Sequence, residues 1–297
     1  MNIENDKKIK SGFVSIVGKP NSGKSTLLNC IIGHKISIAT HKKNTTRNQI
    51  KGILNSEDAQ IIFMDTPGFI DVKTKLDEDM YQRIIDSIKG VDIILYLLPF
   101  WKDLDNEYLE TIKITEKTAA KKYLLLTKVD KAKTKTELLE IAKKFNETNL
   151  FDKIIPISSY RETNIKVLVE EIKKDLKEDV AYYDRDSFHE FSDQFYSAEI
   201  IREKALFNLN NEIPHHLFVS IEEFENKKRS VFIRAEIIID RDNLKRIIIG
   251  KNGSKIKIIG EKSREELEHY FGKKVFLETF VKIKKDWKNK DSIIKNI

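Results

Sequence analysis

Eight residues near the start of the chain have the types and spacing of a phosphate-binding loop. The run from Gly18 to Ser25 matches the pattern G-x-x-x-x-G-K-S. Glycines at both ends allow the backbone to curl until successive N–H groups face a phosphate. Lys24 is then placed to reach the β- and γ-phosphates, and the Ser25 hydroxyl is a ligand for Mg²⁺. The predicted contacts are Gly18, Lys19, Pro20, Asn21, Ser22, Gly23, Lys24, Ser25 and Thr26.

A second motif supplies the residues that respond to the γ-phosphate. Asp65-Thr66-Pro67-Gly68 follows an apolar run, where an Asp can hold Mg²⁺ through water and the Gly68 N–H can meet the γ-phosphate. The polar loop 41–48 carries two threonines, of which Thr46 is our choice for closing on Mg²⁺ and Thr45 is the alternative. The predicted metal ligands are Ser25, Thr46 and Asp65. The predicted catalytic residues are Asn21, Lys24, Thr46 and Gly68.

A third motif has the chemistry needed to recognise guanine. Thr127-Lys128-Val129-Asp130 follows another apolar run. The Asp130 carboxylate can accept both N1–H and the 2-amino group of guanine, a pair of donors that adenine lacks. The Lys128 stem can cover the face of the base. We expect Ser158 and Ser159 to hold the guanine edge through backbone N–H groups.

A different motif near the C-terminus predicts RNA binding. A G-x-x-G loop, Gly250 to Gly253, lies between two predicted helices, so a sugar-phosphate backbone could approach it closely. Around it the element order α-β-β-α-α-β is that of a KH domain, which clamps about four single-stranded nucleotides. We expect Ile248 and Ile249 to form an apolar floor for the bases. The predicted contacts are Ile248, Ile249, Gly250, Lys251, Asn252, Gly253, Ser254, Lys257, Lys285 and Trp287.

Positive charge is concentrated around the G-x-x-G loop. The whole chain has a net charge of +7, and residues 241–297 contain 16 Lys and Arg against 8 Asp and Glu. A local basic excess indicates a polyanionic partner, nucleic acid first and anionic membrane second. The Trp287 indole could stack on a base beside Lys285. An equally strong alternative is a solvated basic tail with one anchored tryptophan.

The elements that must position these motifs alternate in type over the first half. Short apolar runs alternate with stretches of helical spacing, which predicts a mostly parallel sheet with helices on both faces. Each nucleotide motif falls at the carboxyl end of a predicted strand, where ligands of such sheets bind. The predicted fold is α/β, a Ras-like P-loop GTPase domain followed by an α+β type II KH domain. The predicted boundaries are a flexible N-terminus 1–10, the GTPase domain 11–177, a linker 178–190, the KH domain 191–284 and a basic tail 285–297.

Composition narrows the class of protein further. Hydrophobic residues make up 40% and charged residues 34% of 297 residues, as in soluble globular proteins. The apolar run from Ile93 to Phe100 is too short to span a bilayer, and the polar start is not that of a signal peptide. Cys30 is the one cysteine, which excludes an internal disulfide and fits a reducing cytoplasm. No cysteine–histidine cluster has zinc spacing.

Residues 11–177 resemble the translation-factor-related small GTPases, with departures at two positions. Thr127 stands where the family usually has Asn, and Ser159 where it has Ala. Phe69 stands where Ras-like proteins have the Gln that orients the attacking water. GTP hydrolysis should therefore be slow or should orient that water by another group. Asn21 resembles the P-loop Asn that binds a potassium ion in related GTPases. A potassium ion beside the required Mg²⁺ is therefore a hypothesis.

The two halves together resemble the Era family over nearly the whole chain. The resemblance lies in Thr45-Thr46-Arg47, Asp65-Thr66-Pro67-Gly68, Glu199-Ile-Ile-Arg-Glu, Glu212-Ile-Pro-His and Gly272-Lys-Lys-Val. It implies a GTP- and GDP-binding enzyme that binds the 3′ end of 16S ribosomal RNA and assists maturation of the 30S subunit. It also implies a cytoplasmic protein, expected as a monomer, with some peripheral membrane association. Alternatives are a GTPase acting on another RNA or RNA-processing partner, and an RNA-binding protein whose P-loop domain is structural.

Overall fold

A computed structural model describes residues 8–40, 45–69, 72–116, 118–209 and 216–294. The chain divides into two compact units. The first comprises residues 1–37, 46–71 and 79–190, and the second comprises residues 38–45, 72–78 and 191–297. Within the ranges described above, no helix is long and apolar enough to cross a membrane.

The first unit contains a sheet in which one long strand is antiparallel. The main strands run in the order β2-β3-β1-β4-β5-β6, and β2 is antiparallel to β3 whereas the remaining neighbours are parallel. A short β7 pairs with the start of β1. The strands are β1 (Ile9–Gly18), β2 (Ile50–Asn55), β3 (Ala59–Asp65), β4 (Ile93–Pro99), β5 (Lys121–Thr127), β6 (Lys153–Pro156) and β7 (Glu178–Asp179).

Helices follow most of these strands, as the alternating pattern predicted. The central strand β4 is buried over nearly its whole length, because a parallel strand covered on both faces has no solvated side. Its side chains pack in one apolar cluster with Ile84, Ile112 and Phe145 from three helices. The helices of this part of the chain are α1 (Lys24–Ile32), α2 (Lys75–Ile88), α3 (Asn106–Thr115), α4 (Lys135–Asn146) and α5 (Ile165–Asp175).

The stretch 178–190, which its polar composition predicted to be a linker, is hydrogen-bonded to the first unit. Strand β7 extends the sheet, and the Gln60 side chain bonds the backbone of Tyr182 and Tyr183. Farther along, Phe188 O accepts from Ile53 N at 3.0 Å. Polar residues therefore serve here as partners for a sheet edge, a role that composition alone does not distinguish from a free linker.

The second unit contains the predicted α-β-β-α-α-β order. Its three strands run β10-β9-β8, with β10 parallel and β8 antiparallel to β9. Strand β9 alternates, burying Val231, Ile233, Ala235, Ile237 and Ile239 beneath the helices. The elements are α6 (Asp193–Asn208), β8 (Leu217–Asn226), β9 (Ser230–Ile239), α7 (Asp242–Ile249), α8 (Ser254–Phe271), β10 (Lys274–Ile283) and α9 (Asp291–Ile294).

Candidate functional site

The predicted phosphate loop connects β1 to α1 and is curled around the Lys24 side chain. The Lys24 ammonium donates to the carbonyl oxygens of Gly18 at 2.9 Å and Lys19 at 3.1 Å. Asn21 and Gly23 both have left-handed backbone, with φ of 64° and 106°, a region that glycine and asparagine enter at least cost. Helix α1 begins at Lys24 itself, so the unpaired N–H groups of its first turn adjoin the loop.

A buried tyrosine that sequence reasoning missed supports this loop. The Tyr108 hydroxyl donates to Leu97 O at 2.6 Å and accepts from Lys19 N at 3.3 Å. The Phe69 ring packs edge-on against Tyr108, with centroids 5.2 Å apart. Phe69 is buried, so it is part of the apolar support of the loop. No motif identifies Tyr108, because its role depends on where α3 packs.

Three oxygen-bearing side chains predicted to hold Mg²⁺ converge. The Ser25 hydroxyl lies 2.7 Å from Asp65 Oδ2 and 2.9 Å from Thr46 Oγ1. The Thr45 hydroxyl instead pairs with Thr40 at 2.6 Å, so the geometry favours Thr46. Asp65 Oδ1 is buried without a hydrogen-bond partner in the described chain. Hard oxygen donors and an orphaned carboxylate oxygen fit a magnesium ion.

The site contains two buried ionisable groups, Lys24 and Asp65, and each is suited to a ligand of the opposite charge. Burial lowers the pKa of Lys24 to about 8, although the charge of Asp65 opposes this shift. Burial also raises the pKa of the Asp65 carboxyl, against the opposing effect of Lys24. Burial thus disfavours the charged form of each group, and a phosphate beside Lys24 or a cation beside Asp65 would favour it.

Gly68 lies where the second motif meets the phosphate loop. A Cβ atom at this position would come within 2.7 Å of Pro20 N, a distance that only glycine avoids. The neighbouring Thr66 is buried, and its hydroxyl donates to Ile16 O at 2.8 Å. The Pro67-Gly68 backbone is therefore held directly against the loop.

The candidate base-recognition residues also come together, and Thr127 explains one departure from the family pattern. The Thr127 hydroxyl donates to Ser22 O at 2.9 Å, and the Lys128 ammonium donates to Asn21 O at 2.7 Å. Both residues thereby tie the base motif to the phosphate loop. The Thr127 hydroxyl therefore links the base motif to the phosphate loop, as the amide of the family's usual Asn could.

Removing the Thr127 hydroxyl should loosen the phosphate loop. In a Thr127→Val variant, Ser22 O loses its side-chain donor, which should lower the free energy of unfolding by about 1–3 kcal/mol and weaken GDP binding. Urea unfolding and nucleotide titration measure the two effects. A Thr127→Ser control keeps the hydroxyl and should behave like the unmodified protein. Equal behaviour of the Val and Ser variants would contradict the bridging role.

Ser158 acts differently from the prediction. Its backbone N–H donates to Thr163 O at 3.2 Å and so is not available to a guanine edge. Its hydroxyl donates to Asp130 Oδ1 at 2.6 Å and also accepts from Arg161 N. Ser158 therefore orients the Asp130 carboxylate, leaving half-buried Ser159 as the candidate for backbone contact with the base.

The second unit presents the predicted G-x-x-G loop between α7 and α8. Gly250, Asn252 and Gly253 all have left-handed φ, at 74°, 51° and 76°. A Cβ on Gly250 would meet Lys255 at 2.9 Å, whereas a Cβ on Gly253 would meet nothing within 4 Å. Gly250 is thus required by the loop itself, and Gly253 leaves open space in front of the first turn of α8. Lys251 and Ser254 are exposed beside it.

A groove of about 290 Å³ lies between α8 and β10. Sequence reasoning identified only Lys257 among its lining residues. The spacing 257, 260, 261, 264 places these α8 members on one helix face, and this periodicity was the signal that could have found them. The lining residues are Ile256, Lys257, Gly260, Glu261, Arg264, Leu277 and Thr279.

Two predicted RNA contacts are corrected by their burial. Ile248 is fully buried in the core of the second unit with Ile201 and Ile259, so it cannot form a floor for bases. Trp287 is also fully buried. Its ring packs on Phe218 with centroids 4.7 Å apart, and its indole N–H donates to His216 O at 3.3 Å. The anchored-tryptophan alternative is the one that the structure supports. Exposed Lys285 and half-buried Ile249 stay candidates.

Trp287 should therefore contribute to the stability of the fold and not to RNA binding. Trp287→Ala should lower the free energy of unfolding by about 3–5 kcal/mol, as expected for truncating a buried aromatic. Trp287→Phe keeps most of the packing and should remain folded with unchanged affinity for RNA, measured by fluorescence anisotropy. A folded Phe variant that has lost RNA affinity would restore the stacking hypothesis.

Comparison with known proteins extends to nearly every residue of the chain. A family model described as 50S ribosome-binding GTPase matches residues 13–129, and one described as KH domain matches residues 212–288. GTPase Era of Borreliella afzelii (strain PKo) is 42% identical over 290 residues, covering 97% of this chain and 99% of that protein. GTPase Era of Clostridium beijerinckii is 41% identical, covering 97% of each.

Two solved structures agree with this relationship. A crystal structure of Era in complex with MgGDPNP and nucleotides 1506–1542 of 16S ribosomal RNA has a TM-score of 0.93 and 34% identity, covering 97% of this chain and 98% of that one. A variant of Aquifex aeolicus Era bound to GDP and aluminium fluoride gives the same values. With the P-loop, the base-recognition motif and the KH unit in one chain, this protein belongs to the Era family of GTPases.

Proposed function

We propose that the protein is a GTP-hydrolysing switch that binds the 3′-terminal region of 16S ribosomal RNA and assists assembly of the 30S subunit. One observation carries the RNA assignment. The chain matches, over 97% of its length, an Era structure whose complex contains MgGDPNP and nucleotides 1506–1542 of that RNA. The G-x-x-G loop, which is open at Gly253, and the groove between α8 and β10 are the surfaces of this chain that support the assignment.

Each residue of the nucleotide site has a binding role that its contacts support. Asp130, oriented by Ser158, accepts two hydrogen bonds from guanine. Lys24 places a positive charge at the β- and γ-phosphates. Mg²⁺, which Ser25, Thr46 and Asp65 would hold, supplies charge neutralisation of the phosphate oxygens when bound.

Nucleotide state is coupled to RNA binding in this proposal through the segment that precedes Thr46. Residues 38–45 belong to the second unit, although 41–44 lie outside the described residues. Within that unit, the buried guanidinium of Arg202 pairs with Glu199 and donates to Thr45 O. A displacement of Thr46 on nucleotide exchange would therefore act directly on a backbone group that helix α6 holds.

A monovalent cation site at Asn21 is part of the same proposal. Asn21 is exposed at the tip of the phosphate loop, where its amide oxygen could face the cation that replaces an arginine finger. We expect hydrolysis to be at least about tenfold faster in KCl than in NaCl at equal ionic strength, and Asn21→Ala to remove the difference. Single-turnover GTP hydrolysis measures this. Equal rates in both salts for the unmodified protein would exclude the potassium role.

Crosslinking in cells followed by sequencing of the attached RNA tests the substrate. Reads concentrated at the 3′ end of 16S ribosomal RNA, and lost in a Gly253→Asp variant, are the expected result. Reads spread over transfer RNA or other transcripts would contradict the ribosomal assignment and leave a GTPase acting on another RNA.

A cytoplasmic location, peripheral membrane association and a monomeric state are also proposed from the family resemblance. Cell fractionation tests the location, flotation with anionic vesicles tests membrane association, and light scattering tests the monomer. Protein that leaves the membrane fraction only in detergent would contradict a peripheral association. A stable dimer would contradict the monomeric state.

A further inference from the structure

Trp101 lies at the carboxyl end of the first unit's sheet, where the nucleotide motifs also lie. It follows β4 in a turn that is closed by a hydrogen bond from Lys102 N to Pro99 O at 2.8 Å. The Trp101 side chain is 46% exposed. An indole exposed to this extent adds little to the apolar core, and its contacts show what else it does.

The backbone holds Trp101 beside the base-recognition motif. Strands β4 and β5 are parallel neighbours, and Pro99 lies opposite Thr127 at their last paired position. Beyond that pair, Phe100 N donates to Thr127 O at 3.1 Å. The Phe100 side chain is buried in the core and anchors the turn. Trp101 and Lys128, which come next along the two chain segments, are therefore fixed as neighbours.

The indole ring of Trp101 faces two ammonium groups. Lys128 Nζ lies 5.8 Å from the ring centroid, and Lys131 Nζ lies 5.7 Å from it. The face of a tryptophan ring attracts cations, and the attraction is larger where water is partly excluded. Lys128 is half-buried and Lys131 is exposed, so the contact with Lys128 is the stronger of the two.

The ring offsets an unfavourable feature of Lys128. Burial lowers the pKa of Lys128, and the nearby charge of Lys131 lowers it further, whereas Asp130 opposes both effects. The negative face of the Trp101 ring favours the charged form of both lysines. Lys128 can then stay charged while its ammonium donates to Asn21 O at 2.7 Å.

Lys128 is also held in a conformation that needs support. Its backbone is left-handed, with φ of 63°, which costs free energy in a residue other than glycine. A long lysine side chain loses much rotamer freedom when it is immobilised. A contact that immobilises Lys128 before the nucleotide arrives reduces the entropy lost on binding. Trp101 supplies such a contact from the neighbouring strand end.

We propose that Trp101 is a positioning residue for guanine nucleotides, which holds the Lys128 side chain where its stem covers the base and its ammonium meets the phosphate loop. This inference rests on the proposed role of Lys128 in covering the base. Trp101 acts through Lys128 alone, so removing the ring should have no further effect once Lys128 is replaced.

Calorimetric titration of GDP into the full-length protein with Mg²⁺ tests this in four variants. Trp101→Ala should bind GDP about five- to tenfold more weakly. Trp101→Phe keeps an aromatic face and should bind within about twofold of the unmodified protein. Lys128→Met should weaken binding more than Trp101→Ala does. The double variant Trp101→Ala/Lys128→Met should bind GDP as Lys128→Met does, because residues that act as one unit are not additive.

Lys131→Met is the matched control, because it removes the other cation over the ring and leaves Lys128 in place. Its GDP affinity should stay within about twofold of that of the unmodified protein. The inference is overturned if the losses add in the double variant, if Trp101→Phe binds as weakly as Trp101→Ala, or if Trp101→Ala binds normally while Lys128→Met does not. Normal binding by Lys128→Met would show instead that the proposed base-covering role of Lys128 is wrong, and the inference would fail with it.

Discussion

Lys24→Met is expected to weaken GTP binding and slow hydrolysis by about two to three orders of magnitude, the loss typical of removing one member of a buried charge pair. The methionine keeps the apolar stem and removes the charge that faces the phosphates. In the nucleotide-free protein this charge is costly, because burial lowers the Lys24 pKa to about 8. The ammonium nevertheless donates to Gly18 O and Lys19 O and offsets the buried charge of Asp65, so the free energy of unfolding without nucleotide should fall.

Nucleotide titration, single-turnover hydrolysis and urea unfolding measure these quantities. Lys143→Met, on an exposed part of α4, is the matched control and should change none of them. A Lys24→Met protein that hydrolyses GTP at the normal rate would support the alternative of a structural P-loop domain. Unchanged stability of the nucleotide-free variant would contradict the role of the Lys24 ammonium in holding the loop.

Gly253→Asp is expected to lower the affinity for single-stranded RNA by at least about a hundredfold, because it places a carboxylate where RNA phosphate must approach. GTP hydrolysis without RNA should not change. Gly272→Asp is a stringent control, since Gly272 lies just beyond the other end of α8, also has positive φ and also has nothing within 4 Å of a Cβ. Both variants carry similar backbone strain. Equal loss of RNA affinity in both would show that strain, and not the phosphate approach, is responsible.

Much of the nucleotide site could be predicted because its motifs are local. Gly18 ends β1 and Asp65 ends β3, so both motifs fall at the carboxyl ends of strands, as predicted. Strand order then brings Asp65 beside Ser25, since β1 and β3 are neighbours in a parallel sheet. The two helices predicted on either side of the G-x-x-G loop are also present, as α7 and α8.

The errors concern residues whose environment is set by distant parts of the chain. Trp287 lies among lysines in sequence, yet Phe218 from β8 covers its ring. Ser158 loses its N–H to Thr163 in a local bridge that no motif marks. Tyr108 has no pattern of its own, because it supports the P-loop from α3. Burial and empty space are properties of packed elements, which spacing along one element does not specify.

The most direct test of the switch is the affinity of the full-length protein for a 3′-terminal 16S RNA oligonucleotide in two nucleotide states. Fluorescence anisotropy is measured with Mg²⁺ and a non-hydrolysable GTP analogue, and again with Mg²⁺ and GDP. The account predicts binding at least about tenfold tighter in the GTP-analogue state, a coupling of about 1.4 kcal/mol. Equal affinity in the two states would contradict the claim that GTP controls RNA binding.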